Sequence, residues 1–405
     1  MPEASKLTID TNADAMQMAD AMFGSGVQVT SATYTGANGA SGIYSGGDTT
    51  APLLTPSDTG VILSTGNAQD VTNASGDVNT SAGKTTNHGT AGDSDLNTIA
   101  GAQTYDAAIM EATFVPAGDT LTMQFVFSSE EYLEYVNSGF NDAMGVVVNG
   151  VPAKLSVGNM DVTINTINNV SNANLYVDNP ANAETVNTEM DGLTVTLTLK
   201  APVTPGQANT IKIAIADGGD AAYDSNLLIV GDSVQTELIA NDDVVQVTDT
   251  KAKTVDLTDN DTNASGGDLM IIAINGIAVS AGDTLVLNTG EEITLNEDGT
   301  VTIKSDGDEG TNAFSYTVEN AAGVTDTAFV ELTTVPCFLH GARVKTARGS
   351  VPVQALRAGD LVWTRDHGLQ PLVWVGHADR RAIGHDAPVK FDKGALGRHG
   401  ETSLS

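Results

Sequence analysis

The most reactive side chain in this 405-residue sequence is its single cysteine, Cys337. A thiolate is a strong nucleophile, and nearby cations lower the pKa of a thiol, so Arg343, Lys345 and Arg348 favour a reactive Cys337. The alternative is a buried cysteine that packs as a small apolar side chain. One cysteine also excludes a disulfide framework within the chain.

A second candidate site consists of oxygen-bearing side chains at the ends of several expected strands. Hard cations such as Ca²⁺ take about six to eight oxygen ligands, which carboxylates and carbonyl groups of converging loops can supply. We therefore expect a calcium site drawn from Glu130, Glu131, Asn141, Asp142, Asp217, Asp220 and Asp224. Solvated acidity in an aspartate-rich chain is the alternative.

Motifs for other chemistry are absent from the sequence. It contains no H-E-x-x-H, no G-x-S-x-G, no P-loop and no dinucleotide-binding fingerprint, which disfavours a conventional hydrolase or a nucleotide-dependent enzyme. The segment 259–263 begins like an EF-hand loop, but Ala264 and Met270 replace the glycine and glutamate that such a loop requires.

The charge of the chain changes sharply at the cysteine. Residues 1–336 carry eight lysines, no arginine and 45 acids, for a net charge of −37, whereas residues 337–405 have a net charge of +4. This shift predicts a domain boundary. The strongly acidic part would repel phosphate backbones and anionic lipids, so nucleic-acid binding and membrane insertion are not expected.

The hydrophobic pattern predicts an all-β protein with one short helix. Alternating apolar residues at 193–199 and 211–215 have the period of two that is typical of strands, and Gly/Asn/Asp turns separate such segments. The helix is expected where apolar residues from Ala15 to Phe23 form a stripe, with Thr11 or Asn12 as the cap and Gly24 at its end. A β-sandwich is the expected architecture of the N-terminal domain.

A second series of short strands follows residue 240 and predicts an immunoglobulin-like sandwich. We expect these strands near 244–248, 254–257, 269–275, 284–288, 292–295, 300–304, 314–319 and 325–334. From residue 336 onward the segments ARVKTA, LVWTRD and PLVWVGHA predict a third, β-rich unit.

Three stretches of the sequence resemble known families. FVFSSEEYLEYVNSGFNDAMGVVVNG (125–150) and IAIADGGDAAYDSNLLIVGDSVQ (213–235) resemble the choice-of-anchor L domain of bacterial surface and secreted proteins. ANDD, VDLTDND and FSYTVENAAGVTDTAFVEL resemble cadherin-like or bacterial Ig-like repeats. We therefore divide the chain into an anchor-L-like domain at 1–237, a cadherin/Ig-like domain at 238–335 and a third domain at 336–405.

The third domain, with PCFLHGARVKTARGSVPVQALRAGDLVWTRDHGLQPLVWVG, resembles the start of a Hint (hedgehog/intein) domain. The resemblance implies that Cys337 attacks the carbonyl carbon of Pro336 in an N-to-S acyl shift, although a proline carbonyl is sterically awkward to attack. The resemblance implies a histidine block and a terminal His-Asn that the residues up to Ser405 do not contain. We therefore expect a partial Hint domain, and no cleavage by the 405 residues alone.

These observations leave two main hypotheses for function. The first is a secreted or cell-surface bacterial protein, exported without an N-terminal signal peptide, whose Hint domain cleaves the chain in cis at Pro336–Cys337 when complete. The second is a calcium-stabilised adhesive or structural surface protein with an inactive Hint remnant. Either protein would bind an unidentified surface or extracellular ligand, and neither requires a cofactor other than calcium.

Overall fold

The computed structural model describes residues 2–248, 251–335, 341–364, 368–373 and 375, and the backbone of 389–391 and 402–404. The fold is mostly β, as the sequence predicts, and its strands form several antiparallel sheets. The chain divides into two compact units, Met1–Thr334 and Val335–Ser405. No helix among the described residues is both long and apolar enough to cross a membrane.

Two antiparallel sheets face each other in the first domain. The larger sheet has the order β1-β3-β4-β14-β6-β11-β10, with β12 also paired to β6; the smaller has the order β2-β5-β13-β7-β8, with β9 paired to β7. The strands of the larger sheet are β1 (Thr8–Asp10), β3 (Ser41–Ser45), β4 (Thr59–Ser64), β6 (Thr120–Ser129), β10 (Tyr176–Asp178), β11 (Gly192–Thr194), β12 (Leu197–Pro202) and β14 (Ser225–Val230). Those of the smaller sheet are β2 (Val27–Thr35), β5 (Thr104–Pro116), β7 (Ala143–Val148), β8 (Val151–Ala153), β9 (Val162–Thr163) and β13 (Asn209–Gly218).

Alternation along the central strands of the larger sheet fills two apolar cores. Phe127 and Leu227 point toward the smaller sheet and lie in the main core between the sheets. Val126 and Leu228 point the other way and pack with Tyr44, Leu54 and their neighbours. We call these two sides of the larger sheet the inner face and the outer face.

The first domain has three helices rather than the one that the sequence predicts. They are α1 (Ala15–Met22), α2 (Gly47–Thr50) and α3 (Ser94–Ala100). Helix α1 begins after Asp14, not after Thr11 or Asn12, because the Asp14 carboxylate accepts the Gln17 amide at 2.9 Å and the Gln17 side chain accepts the Asp14 amide. Helices α2 and α3 are too short for an apolar stripe to show in the sequence. Single 3₁₀ turns lie at Ala68–Val71, Val157–Asn159, Ala173–Leu175 and Val353–Ala355.

The second domain is a sandwich of a five-stranded and a four-stranded sheet, with the orders β16-β25-β24-β19-β20 and β17-β23-β22-β21, and a separate β15-β18 pair. Its strands are β15 (Leu238–Ile239), β16 (Asp243–Thr248), β17 (Ala252–Val255), β18 (Thr262–Asn263), β19 (Met270–Ile274), β20 (Ile277–Ala278), β21 (Thr284–Val286), β22 (Glu292–Leu295), β23 (Val301–Lys304), β24 (Gly310–Glu319) and β25 (Thr325–Val335). Each of the eight strands expected from the sequence is present. The two-residue strands β15, β18 and β20 are additional.

The first and second domains share buried contacts within one compact unit. Ala313 and Phe329 of the second domain are part of the main apolar core of the first. Gln124 on β6 donates to the Thr325 carbonyl at 3.0 Å and accepts the Thr327 hydroxyl at 2.8 Å. At a separate point, the Thr289 amide donates to Asn174 at 3.0 Å.

The described part of the second unit is a small antiparallel sheet of order β27-β26-β28-β29, with a separate β30-β31 pair. These strands are β26 (Arg343–Thr346), β27 (Gly349–Pro352), β28 (Leu361–Thr364), β29 (Gly368–Pro371), β30 (Val389–Phe391) and β31 (Thr402–Leu404). The segments ARVKTA and LVWTRD contain strands, as expected. Of the described residues of PLVWVGHA, Pro371 ends β29 and residues 372, 373 and 375 are not in a strand, while the other four residues lie outside the described residues.

Candidate functional site

Most of the predicted cation ligands lie near the adjoining ends of β6 and β14, but on two faces of the sheet. Ser129 and Ser225 are paired residues at these ends, and Ser128 pairs with Asn226 one step further in. Alternation places Ser128 and Asn226 on the outer face and Ser129 and Ser225 on the inner face. The outer face continues to Glu130 and Asp224, which lie one residue beyond the two strands and join through a backbone hydrogen bond of 3.2 Å.

Glu130 is a fully buried carboxylate on the outer face, with 1% of its surface exposed. Neither of its oxygens has a hydrogen-bond partner within the described residues. Burial, and after it the charges of Asp191 and Glu189, raises the pKa of Glu130 to about 10. The Lys84 amide lies near enough to lower this pKa in part, but outside hydrogen-bonding geometry. Among the described residues, the ionised form of Glu130 therefore has only the partial stabilisation that the Lys84 amide supplies.

Asp224 is the second outer-face carboxylate, and only one of its oxygens is engaged. Its Oδ1 accepts the Thr86 amide at 2.8 Å, while Oδ2 is buried without a partner among the described residues. Burial raises the pKa of Asp224 to about 6. A Cβ on Gly66 would lie 1.9 Å from this Oδ2, so only glycine at position 66 leaves room for the carboxylate.

A long irregular loop, residues 73–91, is attached to the same end of the larger sheet through carboxylates. The Thr80 amide donates to Glu189 at 2.8 Å, the Asn79 side chain donates to Asp191 at 2.6 Å, and the Thr86 amide donates to Asp224. Burial raises the pKa of Asp191 to about 6. The carboxylates therefore hold the loop in place by accepting hydrogen bonds from its amide groups.

The inner-face acids form a different group. Asp142 accepts the Ser225 hydroxyl at 2.6 Å and the Gly218 amide at 2.9 Å. Asp217 is 1% exposed, and burial together with the charge of Asp142 holds its pKa well above the usual range. Burial also raises the pKa of Glu131 to about 9, with Asp142 as the next cause. One Glu131 oxygen and one Asp217 oxygen are buried without a partner in the described chain.

Asn141 and Asp220 are positioned for other contacts. The Asn141 amide nitrogen donates to the Ala100 carbonyl at 3.1 Å, and its oxygen accepts the Asn165 amide at 3.3 Å, so this side chain ties the end of α3 to a turn. Asp220 is half-buried and lines a cleft of about 340 Å³ beside Tyr105.

The buried acids have no lysine partner among the described residues, although His88 lies close enough to Asp224 to lower its pKa in part. Among the described residues, the ion pairs of the first domain involve Lys154, Lys200 and Lys212, and none of these lysines contacts the acids at the ends of β6 and β14. No three acidic, histidine or cysteine side chains of the described residues come together at the spacing of a metal site. A cation here would therefore need neutral oxygen ligands in addition to carboxylates.

Sequence reasoning missed Glu189 and Asp191, which lie beside Glu130. Their signal was present in NTEMDG, where two acids stand directly before β11, at a strand end like those used for the predicted ligands. It also missed Ser128 and Asn226, whose hydroxyl and amide oxygens are buried and unpartnered within the described residues.

Cys337 and Pro336 lie outside the described residues. The three cations expected to assist the thiol have other partners in the described sheet. Arg343 donates to the Ser350 hydroxyl at 3.1 Å, Arg348 pairs with Asp360 at 2.5 Å, and Lys345 lies 4.8 Å from the Trp363 ring centre.

Comparison with known families assigns the three parts of the sequence. Residues 7–235, more than half of the chain, match the choice-of-anchor L domain. The chain belongs to the choice-of-anchor L family. Residues 235–333 of this anchor-L protein match a bacterial Ig domain, and residues 336–404 match a Hint domain. All three resemblances seen in the sequence are confirmed, the middle one as a bacterial Ig domain, which indicates a bacterial surface or extracellular protein.

Other comparisons add little for this anchor-L protein. No curated protein matches it. One matching solved structure is the M60 catalytic domain with CBM51-1 and CBM51-2 from Clostridium perfringens ZmpB. The identity is 9% and the TM-score 0.16, with 83% of this chain and 33% of that chain covered. This chain thus spans about a third of that structure's length, and the likeness carries no inference about fold or function.

Proposed function

We propose that this protein is a self-processing bacterial surface protein, in which the Hint domain cleaves the chain between Pro336 and Cys337. The observation that carries the proposal is a coincidence of boundaries. Strand β25 ends at Val335, the compact units divide at Thr334/Val335, and the Hint match begins at 336, next to the only cysteine. Cleavage there would separate residues 1–336 without breaking a described strand.

The chemistry needs one nucleophile and one proton donor. The Cys337 thiolate attacks the Pro336 carbonyl carbon, and the tetrahedral intermediate collapses with loss of the Cys337 nitrogen, which takes up a proton. The peptide bond is thereby exchanged for a thioester between Pro336 and Cys337 Sγ. Because nucleophile and carbonyl belong to adjacent residues, the step is intramolecular and has a high effective molarity. An external thiol then exchanges with the thioester and releases residues 1–336.

Thiol-induced cleavage tests the proposal. The protein encoded by the complete natural reading frame is incubated with a small thiol, and the products are weighed by mass spectrometry. We expect a fragment that ends at Pro336 and carries the added thiol as a thioester. The Cys337→Ala variant should stay intact under the same conditions. Cleavage of that variant at the same bond would disprove the role of Cys337.

The second candidate function is a non-enzymatic adhesive or structural surface protein, stabilised by calcium, with an inactive Hint remnant. The buried oxygens of Glu130 and Asp224 that have no hydrogen-bond partner among the described residues favour it, since a bound cation would supply a partner for them. An intact protein after prolonged thiol treatment would support this candidate over self-cleavage.

A further inference from the structure

Five buried oxygen atoms on the outer face of the larger sheet have no hydrogen-bond partner among the described residues. They belong to two strand neighbours, Ser128 and Asn226, and to the next residues of that face, Glu130 and Asp224. The atoms are Ser128 Oγ, Glu130 Oε1, Glu130 Oε2, Asp224 Oδ2 and Asn226 Oδ1. Each of these side chains is at most 3% exposed. Buried polar atoms are normally paired, so the group indicates a ligand.

The chemistry of these atoms specifies the kind of ligand. Four of the five are carboxylate or amide oxygens, which can only accept hydrogen bonds or bind a cation when the acids are ionised. The Asn226 amide nitrogen is already engaged with Met190 Sδ at 3.0 Å, which leaves the amide oxygen as its free atom. Glu189 and Asp191 add negative charge beside Glu130. A positively charged ligand therefore fits, and an anion does not.

We propose that the outer-face group Ser128, Glu130, Asp224 and Asn226 binds one calcium ion. All of its ligand atoms are oxygens, which are the ligands of hard cations, whereas most transition metals favour nitrogen or sulfur ligands. Calcium accepts irregular sets of carboxylate, amide and hydroxyl oxygens, whereas magnesium demands near-octahedral geometry and keeps several waters. The group contains two carboxylates, not three, which agrees with the absence of a three-acid cluster from the described residues.

The ion would also fix the loop of residues 73–91 against the sheet. Asp224 uses Oδ1 to hold the Thr86 amide and has Oδ2 free for the ion, so one carboxylate joins the loop to the metal. Glu189 and Asp191 anchor the loop beside it. Calcium then acts as a structural ion that closes the loop, and its loss should expose residues 73–91.

This proposal is independent of self-cleavage and gives the calcium-stabilised alternative a defined site. The Cys337→Ala variant of the full chain is therefore the test protein, because it keeps the junction intact whatever the Hint domain does. It is treated with a chelator, dialysed and titrated with calcium chloride by isothermal titration calorimetry. We expect one calcium ion per chain, and a melting temperature that rises in millimolar calcium but not in equal magnesium. Absence of binding would overturn the proposal.

Two neighbouring glutamates provide matched variants. Glu130→Gln removes an outer-face charge at constant size and should weaken calcium binding at least tenfold, whereas Glu131→Gln makes the same change on the inner face and should leave the affinity within about twofold. If Glu130→Gln does not fold, Asp224→Asn replaces it, with the same expected loss. Full affinity in the outer-face variant, or loss of binding only in Glu131→Gln, would overturn the assignment.

Limited proteolysis gives a second measurement. In calcium the loop should resist cleavage, and in chelator it should be cut within residues 73–91 while the sandwich strands stay intact. Equal cleavage in both conditions would contradict the proposed closure of the loop.

Discussion

The buried carboxylate of Asp326 in the Ig domain accepts a 2.7 Å hydrogen bond from the hydroxyl of Thr122 in the anchor-L domain. Its second oxygen accepts the amide of Ala240, near the start of the Ig domain, at 2.8 Å. One side chain thus connects a strand of the anchor-L domain with two segments of the Ig domain. Lys200 supplies a nearby positive charge, and its ammonium group lies 3.5 Å from Asp242. The two domains are therefore held together by specific buried polar contacts.

Removal of this carboxylate should uncouple the domains. Asp326→Ala leaves the Ala240 amide without its acceptor and the Thr122 hydroxyl with Thr198 alone, at 3.0 Å, and we expect a loss of about 2–3 kcal/mol of unfolding free energy. Calorimetry should show one transition for the wild-type protein and two for the variant. Asp268→Ala, an exposed aspartate of the same domain, is the control and should change little. A single transition at the wild-type temperature in Asp326→Ala would contradict the prediction.

Asp326 also predicts a pH dependence of stability. Burial raises its pKa from 3.8 to about 6, against the opposing effect of Lys200, and Asp261 is a further charge nearby. As pH rises, Asp326 loses its proton in the unfolded state before it does so in the folded state. The contribution of protonated Asp326 to folding stability is therefore full below pH 4 and is lost as pH rises toward 6. The stability of wild type relative to Asp326→Asn should fall by about 1–3 kcal/mol from pH 4 to pH 7. Denaturant unfolding of both proteins at pH 4 and pH 7 measures this difference. An increase in the relative stability of wild type from pH 4 to pH 7 would contradict the prediction.

Gly66 provides an independent test of the outer-face group. In Gly66→Ala the new methyl group would occupy the place of Asp224 Oδ2, so the carboxylate must turn away. Calcium affinity should fall at least tenfold, although no ligand has been substituted. Gly310→Ala is the control, since a Cβ there meets no atom within 4 Å. Unchanged calcium titration of Gly66→Ala would show that Asp224 Oδ2 is not a ligand.

The identity of the proposed nucleophile can be tested by exchanging sulfur for oxygen. Cys337→Ser would form an ester in place of the thioester, and more slowly, because a hydroxyl is the weaker nucleophile. We expect hydroxylamine to cleave this variant at Pro336 and thiols to leave it intact. Mass spectrometry distinguishes the two results. Rapid thiol cleavage of Cys337→Ser would require a different nucleophile.

Strand positions in the Ig domain could be predicted because each strand carries its own apolar alternation between turn residues. The eight predicted strands all appear, from β16 to β25. Helix α3 could not be found this way, since its seven residues bury only Leu96 and Ala100 and its clearest signals are Asp93 as the cap and Gly101 at the end. Short helices depend on tertiary contacts more than on periodicity.

The candidate site shows a different limit of sequence reasoning. Acidic residues near strand ends were identified, but Glu130 and Glu131 were placed in one group although they lie beside different acids, Glu130 near Asp191 and Glu131 near Asp142. Both follow β6 in a turn, where strand alternation no longer applies, so their separation could not be predicted from the sequence. The pairing of Ser128 with Asn226 could not be predicted either, because it depends on which distant strands become neighbours, and β6 and β14 are separated by almost a hundred residues.

Strand β25 should make the Ig domain resist a force applied at its C-terminal end. It runs to Val335, beside the proposed cleavage bond, and is hydrogen-bonded on both sides, to β16 and to β24. Ten residue pairs join β24 and β25, from Gly310–Thr334 to Glu319–Thr325. A pull on the C-terminal side of Val335 would load these hydrogen bonds in shear, so that many must break together rather than one at a time. A surface protein held at this end would resist tension through β25, and the proposed cleavage at Pro336–Cys337 would release the Ig domain without unfolding it.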